Sequence, residues 1–363
     1  MRYRWDKCIK HYDCDVDPFL KLHFSETHRK VLLIAGAGFD PRAKENVLAL
    51  HEILGNRLEC IFIKEERPEP DPKLVQKANE NLDQLTSIYP ASTVIAIDIF
   101  ADDNAVVGGI NIIKSLQDIS IDGFTDLIVD FSALSIGVSF PIVKCFFDLI
   151  VRDELKVNIH LLVISNPSMD GMICSVPNDR ATEIRGFARS DRLYGEADKA
   201  KLWLPQLSGG RKEVLRRIHD SVVPHDVCPI VPFPSGDVKK GDNIVIDFIT
   251  ELESEWRVDK RNYVYADENQ PLDIYRTILK IDDQRRPVFQ TFGGSVIILS
   301  PLGSKLLAIG ALMAALERKF PIVYVEALEY TVDWEKVDLL QTDTSKKAHI
   351  WLYGEAYQND FTI

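Results

Sequence analysis

Two turns of the sequence carry residue types that suit the binding of a small anion. The first spans residues 36–42, Gly-Ala-Gly-Phe-Asp-Pro-Arg, and follows a short apolar run. Gly36 and Gly38 would let the backbone approach a ligand closely, Asp40 would cap the helix that follows, and Arg42 would reach an anion. A tight turn with a capping aspartate explains Asp40 by itself, whereas Gly38 and Arg42 favour a binding function.

The second turn spans residues 300–305, Ser-Pro-Leu-Gly-Ser-Lys, between an apolar strand and an apolar helix. The backbone at Gly303 and the N–H and hydroxyl groups of Ser304 would form a small anion cradle, with Lys305 above it. A solvated lysine on the first turn of the helix is an equally acceptable interpretation of Lys305, although a cation there opposes the helix dipole.

Two further turns are weaker candidates. Residues 132–139 occupy the matching place in the first half of the chain but contain no basic residue. Ser132 and Ser135 would contact a ligand there, or would simply cap the helix that follows. The turn from Ser235 to Asp237 has the weakest pattern of the four.

These turns lie between short apolar runs and segments with helical spacing, an alternation that predicts an α/β fold with mainly parallel sheets. The ends of parallel strands at which helices begin are where such sheets bind ligands. Strands are predicted at residues 30–35, 58–63, 93–97, 126–131, 158–165, 227–231, 262–265, 295–299 and 321–325, and an edge strand at 348–353.

The same rhythm divides the chain into two Rossmann-like units. We expect an N-terminal arm at 1–29, a first unit at 30–165, an irregular connection at 166–210 and a second unit at 211–363. Each unit contains an apolar strand, a turn of small residues, a buried helix and another strand. Duplication into a fused pseudo-dimer and convergence on a common α/β pattern explain this similarity equally well.

Composition excludes several classes of protein. The 363 residues are 46% hydrophobic and 27% charged, which is typical of a folded chain of about two domains. A net charge of −12 argues against a long nucleic acid as partner. Six scattered cysteines indicate reduced thiols, and neither a signal peptide nor a membrane span is evident, so a cytoplasmic location is predicted.

The turn at 300–305 also supports a family resemblance. A hydrophobic strand, Gly303-Ser304-Lys305, a helix of small residues and the strand at 320–325 resemble the ligand-binding element of CARF domains, the Rossmann-like receptors of CRISPR systems. Leu302 departs from that pattern, which has a glycine at this position. Two CARF-like units in one chain are similar to the SAVED domains of bacterial anti-phage signalling.

The resemblance implies a nucleotide, such as a cyclic oligonucleotide, bound across the two halves. No nuclease, protease or membrane effector pattern accompanies it, so the expected function is a nucleotide-binding sensor or accessory subunit of a prokaryotic antiviral defence system. It would act through a partner protein or effector.

An enzyme remains the main alternative, and a catalytically inert structural subunit is a third. The Gly-Ala-Gly sequence at 36–38 is similar to a turn of sirtuin-like enzymes that consume NAD, in which Asn166 would fill the place of an asparagine, although the expected histidine is not evident. Cys8, His11 and Cys14, with His23 or His28 beyond them, are candidate zinc ligands, but their spacing is not that of a standard zinc motif, so a structural arm is the favoured interpretation. The sequence therefore predicts neither a metal nor a resident cofactor, and it identifies no catalytic residue.

Overall fold

The computed structural model describes residues 3–187, 199–339 and 345–357, and it has a mixed α/β fold. The strands are β1 Lys10–Tyr12, β2 Val31–Gly36, β3 Leu58–Glu66, β4 Thr93–Asp98, β5 Asp126–Asp130, β6 Asn158–Ser165, β7 Ile173–Glu183, β8 Ala200–Pro205, β9 Asp226–Val227, β10 Ile230–Pro232, β11 Val264–Ala266, β12 Ser295–Ser300, β13 Val323–Val332 and β14 Lys346–Tyr353.

The α-helices alternate with these strands. They are α1 Val16–His23, α2 Glu45–Leu54, α3 Pro72–Ile88, α4 Gly108–Gln117, α5 Ile136–Val151, α6 Pro167–Asp170, α7 Lys212–Val222, α8 Lys240–Asp247, α9 Pro271–Phe289, α10 Lys305–Arg318 and α11 Trp334–Leu339. A 3₁₀ helix, Pro41–Lys44, precedes α2, and a π-helix, Glu251–Glu255, lies in the segment after α8. The predicted α/β fold with mainly parallel sheets is confirmed.

The chain divides into two compact units. What we call the first unit comprises Lys7–Val176 and Leu328–Ile363, and the second unit comprises Met1–Asp6 and Pro177–Ala327. These boundaries differ from the predicted ones because each end of the chain crosses over: the C-terminal strand β14 belongs to the first unit, and the first residues belong to the second.

The first unit contains a seven-stranded sheet in the order β1-β14-β6-β5-β2-β3-β4. The five strands from β6 to β4 are parallel, and β14 is antiparallel to both of its neighbours, β6 and β1. The expectation that residues 348–353 form an edge strand is therefore wrong. Strand β14 lies inside the sheet because both of its faces are covered: five consecutive residues of β14, 348–352, are buried.

The second unit repeats the order of those five parallel strands. Parallel pairing joins β9 to β8, β8 to β12, and β10 to β11. Parallel bridges Gln206–Ile230 and Leu299–Ile322 extend the arrangement from β8 to β10 and from β12 to the residue before β13. Numbered within its own unit, each set has the order 3-2-1-4-5, the first five strands of the classic Rossmann arrangement. The two units thus have one topology in common, as the duplication hypothesis expects.

Two segments have more regular structure than the sequence predicted. Residues 1–29 are not a simple arm, since they supply β1 and α1, and Trp5 is fully buried in the second unit. Residues 166–210 contain the long strand β7 and also β8, the first strand of the second unit, so that unit begins before residue 211. Residues 188–198 of this segment lie outside the described residues.

Apolar sequence explains why the central elements form. All six residues of β2 are buried, as a strand covered on both faces requires. Helix α10 buries eleven of its residues, and the missing side chain of Gly310 makes room for the carbonyl of Pro271 and the side chain of Ile274 on α9. Within each unit these packed strands and helices hold the loops at the carboxyl edge of the sheet in place.

Candidate functional site

The order of strands reverses in the first unit between β2 and β5. From β2 the chain continues through β3 to β4 on one side, and it then returns to β5 and β6 on the other. At such a reversal the loops that follow the two strands separate in opposite directions, which is where Rossmann-like folds bind ligands. Here those loops are residues 36–42 and 131–135, which contain six of the nine predicted binding residues. We call this the first-unit crevice.

The two glycines of the first loop have different roles. A Cβ on Gly36 would lie 2.9 Å from the carbonyl carbon and oxygen of Ala133, so the packing of the two loops requires glycine there. A Cβ on Gly38 would meet no atom within 4 Å, and the φ angle of Gly38 does not lie in the left-handed region. The fold therefore does not require a glycine at residue 38, whereas the close approach of a ligand would.

Arg42 is held by carboxylates and does not reach toward solvent. Its guanidinium donates to Asp40 through Nε and Nη2, the latter at 2.6 Å from Oδ2, and Nη2 also lies 2.8 Å from Asp170 Oδ1. Burial alone would lower the pKa of Arg42, but the charges and hydrogen bonds of Asp40 and Asp170 together outweigh burial and raise it. Asp40 also accepts from the Arg42 backbone N–H as the predicted cap, so both residues fix the loop.

Ser132 joins three parts of the first unit. Its Oγ lies 2.5 Å from Asp130 Oδ1 and accepts the backbone N–H of Ile164 at the end of β6 and, at 3.3 Å, the Nδ2 of Asn46 on α2. Ser132 is fully buried, so its hydroxyl serves the packing of the crevice floor. Asn46 Oδ1 and Arg42 Nη1 are both buried with no hydrogen-bond partner among the described residues.

Ser135 is the N-cap residue of α5 but does not cap it through its side chain. Its backbone N–H donates to Glu65 Oε1 at 2.9 Å, while its Oγ is buried without a partner in the part of the chain that the structure describes. Glu65 lies near the end of β3 and also pairs with Arg67, with 3.3 Å between Nη2 and Oε2. The Ser135 hydroxyl thus lies at the N-terminus of α5, beside the carboxylate of Glu65.

Aromatic side chains lie beside these polar groups. The Arg67 guanidinium lies over the Tyr330 ring, 4.8 Å from its centroid, and the rings of Tyr330 and Phe39 are 5.7 Å apart. Phe39 is the residue between Gly38 and Asp40. A planar base could stack against rings of this kind, and their place next to Gly38 was not expected from the sequence, because Tyr330 lies almost three hundred residues away.

In the second unit the predicted cradle is closed by the protein itself. The N–H of Gly303 donates to Gln206 Oε1 at 3.1 Å, and Gln206 Nε2 donates to the Leu307 carbonyl at 2.9 Å. Ser304 Oγ accepts from Leu307 N–H as a cap and donates to the Glu268 carbonyl. The N–H of Gly303 and the hydroxyl of Ser304 therefore have their partners within the second unit.

Lys305 begins α10 and is half-buried. Another cation of the same edge, Lys240 at the start of α8, is paired with the buried carboxylate of Glu268 at 2.5 Å. Positive charge on this side of the second unit is thus partly neutralised by a carboxylate.

The topological counterpart of residues 36–42 is a turn that sequence reasoning missed. It is residues 206–211, Gln-Leu-Ser-Gly-Gly-Arg, between β8 and α7. The turn from Ser235 to Asp237 follows β10, which corresponds to the second parallel strand of the first unit, β3. Its topological counterpart is therefore the loop after β3, residues 67–71, and not the turn at Asp40. A signal was present in the apolar run of β8 followed by two glycines, but it lay inside a segment interpreted as irregular.

Asn166, a possible member of an NAD-consuming site, is used structurally. Its Oδ1 accepts the backbone N–H of Met169 at 3.0 Å and so caps α6. Its amide nitrogen donates to Ser345 Oγ.

A row of histidines crosses one face of the first unit's sheet and was not expected as a group. The row consists of His11 on β1, His349 on β14 and His160 on β6. His11 Nδ1 lies 3.1 Å from His349 Nδ1, and His349 Nε2 lies 2.9 Å from His160 Nδ1. His160 Nε2 and His23 Nε2 lie 3.2 and 3.3 Å from the same oxygen, Asp126 Oδ1. The pairing of strands brings together residues that are far apart in sequence.

Two buried imidazoles and one buried carboxylate of this row have shifted pKa values. Burial raises the pKa of Asp126, but the hydrogen bonds from His160 and His23 outweigh it and hold that pKa far below its usual range. Burial lowers the pKa of His160 despite its bond to Asp126, and burial next to other histidines places the pKa of His349 well below the usual value. At neutral pH the carboxylate is charged and these two buried rings are not.

Comparisons with known proteins add little to this picture. No family model matches the chain, and no curated protein matches it. Among solved structures, the chain is similar to a human methyltransferase 10 domain containing protein, with 10% identity and a TM-score of 0.22 over 47% of this chain and 78% of that one. Within the described residues, no helix combines the length and the apolar character needed to cross a membrane.

Proposed function

We propose that this chain binds a nucleotide-type ligand in the first-unit crevice and works as a sensor or accessory subunit of a prokaryotic antiviral defence system. It acts through a partner protein, since no effector pattern is evident in its sequence. The resemblance noted at residues 303–305 suggests the ligand class, and the geometry of the first unit suggests the place.

The contrast between two matching serines carries the proposal. Ser304 has partners for its hydroxyl within its own unit, whereas the hydroxyl of Ser135 has none among the described residues. A buried polar group without a partner costs about 1–3 kcal/mol, so a fold retains one at a cost that a bound ligand would remove. Arg42 Nη1 and Asn46 Oδ1 are two more such atoms in the same crevice.

A nucleotide fits the chemistry of this edge. Ser135 Oγ and the N–H groups of α5 that follow Ser135 suit a phosphate, because the first N–H groups of a helix attract anions; the Ser135 N–H itself donates to Glu65. Glu65, near the end of the second parallel strand, is placed as the acidic residue that accepts ribose hydroxyls in Rossmann folds. Phe39 would stack against a base, and Gly38 leaves space beside it.

A thermal-shift screen of the full chain tests the proposal. The probes are ATP, NAD and a set of cyclic oligonucleotides, and a bound probe raises the melting temperature as its concentration rises. We expect at least one probe to stabilise the wild type and to lose at least about tenfold in affinity with Ser135→Ala or Gly38→Ala. Ser304→Ala is the matched control in the second unit and should bind as the wild type does.

Three outcomes would contradict the proposal or redirect it. No shift with any probe would favour the inert subunit, particularly if the chain co-purifies with a partner. Loss of binding with Ser304→Ala or Lys305→Ala, together with normal binding by Ser135→Ala, would move the site to the second unit. Turnover of NAD during the assay would favour the enzyme.

A further inference from the structure

The carboxylate of Asp126 lies between two imidazoles that come from different elements. His23 is the last residue of α1, Asp126 begins β5, and His160 lies on β6. Their nearest ligating atoms all lie within 4.8 Å of one another, and Asp126 Oδ1 is 3.3 Å from His23 Nε2 and 3.2 Å from His160 Nε2. Zinc bonds of about 2.0–2.2 Å in a tetrahedron place neighbouring ligand atoms about 3.3 Å apart.

The charge around these atoms suits a dication. Arg29 Nη1 lies 3.3 Å from Asp126 Oδ1, and Asn158 Nδ2 donates to the same oxygen at 2.8 Å. The Arg29 guanidinium is shared, however, because it also pairs with Glu26 at 3.0 Å and with Glu355 at 2.5 Å. One guanidinium with three carboxylates leaves a formal charge of −2 among these four groups. Because Arg29 shares its single positive charge among three carboxylates, a divalent ion would compensate the negative charge that remains.

Hydrogen bonds from neighbouring residues would orient two of these three side chains, His160 and Asp126. A metal-bound imidazole needs its second nitrogen to donate to an acceptor. His160 Nδ1 lies 2.9 Å from His349 Nε2, and His349 Nδ1 lies 3.1 Å from His11 Nδ1. With a metal on His160 Nε2, the Nδ1–H of His160 donates to His349, which in turn donates to His11. On the other side, Thr125 Oγ1 holds Asp126 Oδ2 at 2.6 Å.

We infer that His23, Asp126 and His160 form a binding site for a divalent transition-metal ion of the zinc class. Two imidazoles and a carboxylate are a ligand set that such ions prefer, and a fourth position is left for water. Asp126 and His160 are fully buried, while the side chain of His23 is 8% exposed, so the ion enters on the α1 side. Bound there, it fastens α1 to β5 and β6.

Calorimetric titration of the full chain with Zn²⁺, after dialysis against a chelator, tests the site. The wild type should bind about one equivalent and melt at a higher temperature with the ion than without it. Co²⁺ should give the intense visible absorption of a tetrahedral site. His23→Gln should weaken Zn²⁺ binding by at least about tenfold, the loss that even outer-shell changes cause.

His28→Gln is the matched control, because His28 is a neighbouring histidine whose side chain is 65% exposed. It should bind Zn²⁺ as the wild type does, and metal-free melting curves will show that both variants are folded. Unchanged affinity in His23→Gln overturns the inference. The absence of a saturable Zn²⁺ isotherm or of a tetrahedral Co²⁺ spectrum in the wild type overturns it without reference to any variant.

Discussion

The two units place the same elements in the same order but use the polar groups at one edge differently. In each unit a serine ends the turn after the fourth parallel strand and precedes a long apolar helix, Ser135 before α5 and Ser304 before α10. In the second unit the hydrogen bonds of that turn are completed by the unit itself. In the first unit the matching hydroxyl has no partner among the described residues.

One position shows how the second unit completes other hydrogen bonds of its turn. The residue after the first parallel strand is Ala37 in the first unit and Gln206 in the second, and both are buried. The longer side chain of Gln206 reaches the N–H of Gly303 and the Leu307 carbonyl, whereas a methyl group can reach neither. The comparison teaches that topology sets where the turn lies, whereas side chains and carbonyls from other segments decide which of its polar groups find partners.

The largest expected effect concerns two aspartates that look alike in sequence, Asp40 and Asp237. Each accepts the backbone N–H two residues later, but Asp40 also neutralises the buried guanidinium of Arg42. Asp40→Ala should lower the free energy of unfolding by about 3 kcal/mol, as the loss of one partner from a buried pair does. Asp237→Ala, at an exposed position, should cost about 1 kcal/mol or less. Equal losses in denaturant unfolding would break the comparison.

A smaller loss of stability is expected when the hydrogen bonds of Gln206 in the second unit are removed. Gln206→Met keeps the size of the side chain but removes both hydrogen bonds, leaving the Gly303 N–H and the Leu307 carbonyl without their partner. The free energy of unfolding should fall by about 1–3 kcal/mol. Gln76→Met, at an exposed glutamine of the first unit, is the control and should change it by about 0.5 kcal/mol or less. An unchanged free energy of unfolding in Gln206→Met would show that the two hydrogen bonds of Gln206 do not stabilise the turn.

The smallest effect compares the two cap serines directly. Ser304→Ala removes a cap hydrogen bond and should cost about 1 kcal/mol, whereas Ser135→Ala removes a hydroxyl that makes no cap bond and should cost a few tenths at most. Chemical denaturation without ligand measures both values. A larger loss in Ser135→Ala than in Ser304→Ala would mean that the hydroxyl of Ser135 is already satisfied in the free protein.

Much of the fold was predictable because its signals are local. Continuous apolar runs predicted nearly all the strands that form the two parallel sets, and glycine, proline and aspartate marked the turns between them. The predictions failed for β8, inside a segment rich in polar residues, and for β14, whose place in the interior of a sheet depends on pairing with β1 and β6. A strand pairing over such distances leaves no trace in local spacing.

The candidate sites were predictable only in part. The loops at 36–42 and 131–135 were identified, yet the different roles of Gly36 and Gly38 emerge only from the approach of Ala133. Arg42 looked available to an anion, and the structure shows it held by Asp40 and Asp170. The metal-ligand group was missed because His23 and His160 are not close in sequence, and each histidine alone resembles an ordinary core or surface residue.

The sequence by itself determined the class of fold, the alternation of elements and the turns that end at the carboxyl edge. Hydrophobic periodicity and turn chemistry act over a few residues, so they can be read without the structure. Tertiary structure decided which polar groups find partners, because those partners come from distant parts of the chain: Glu65 meets Ser135, Gln206 meets Gly303, and His160 meets His349. Hydrogen bonds and ion pairs form only between atoms a few ångströms apart, and packing alone brings such atoms together.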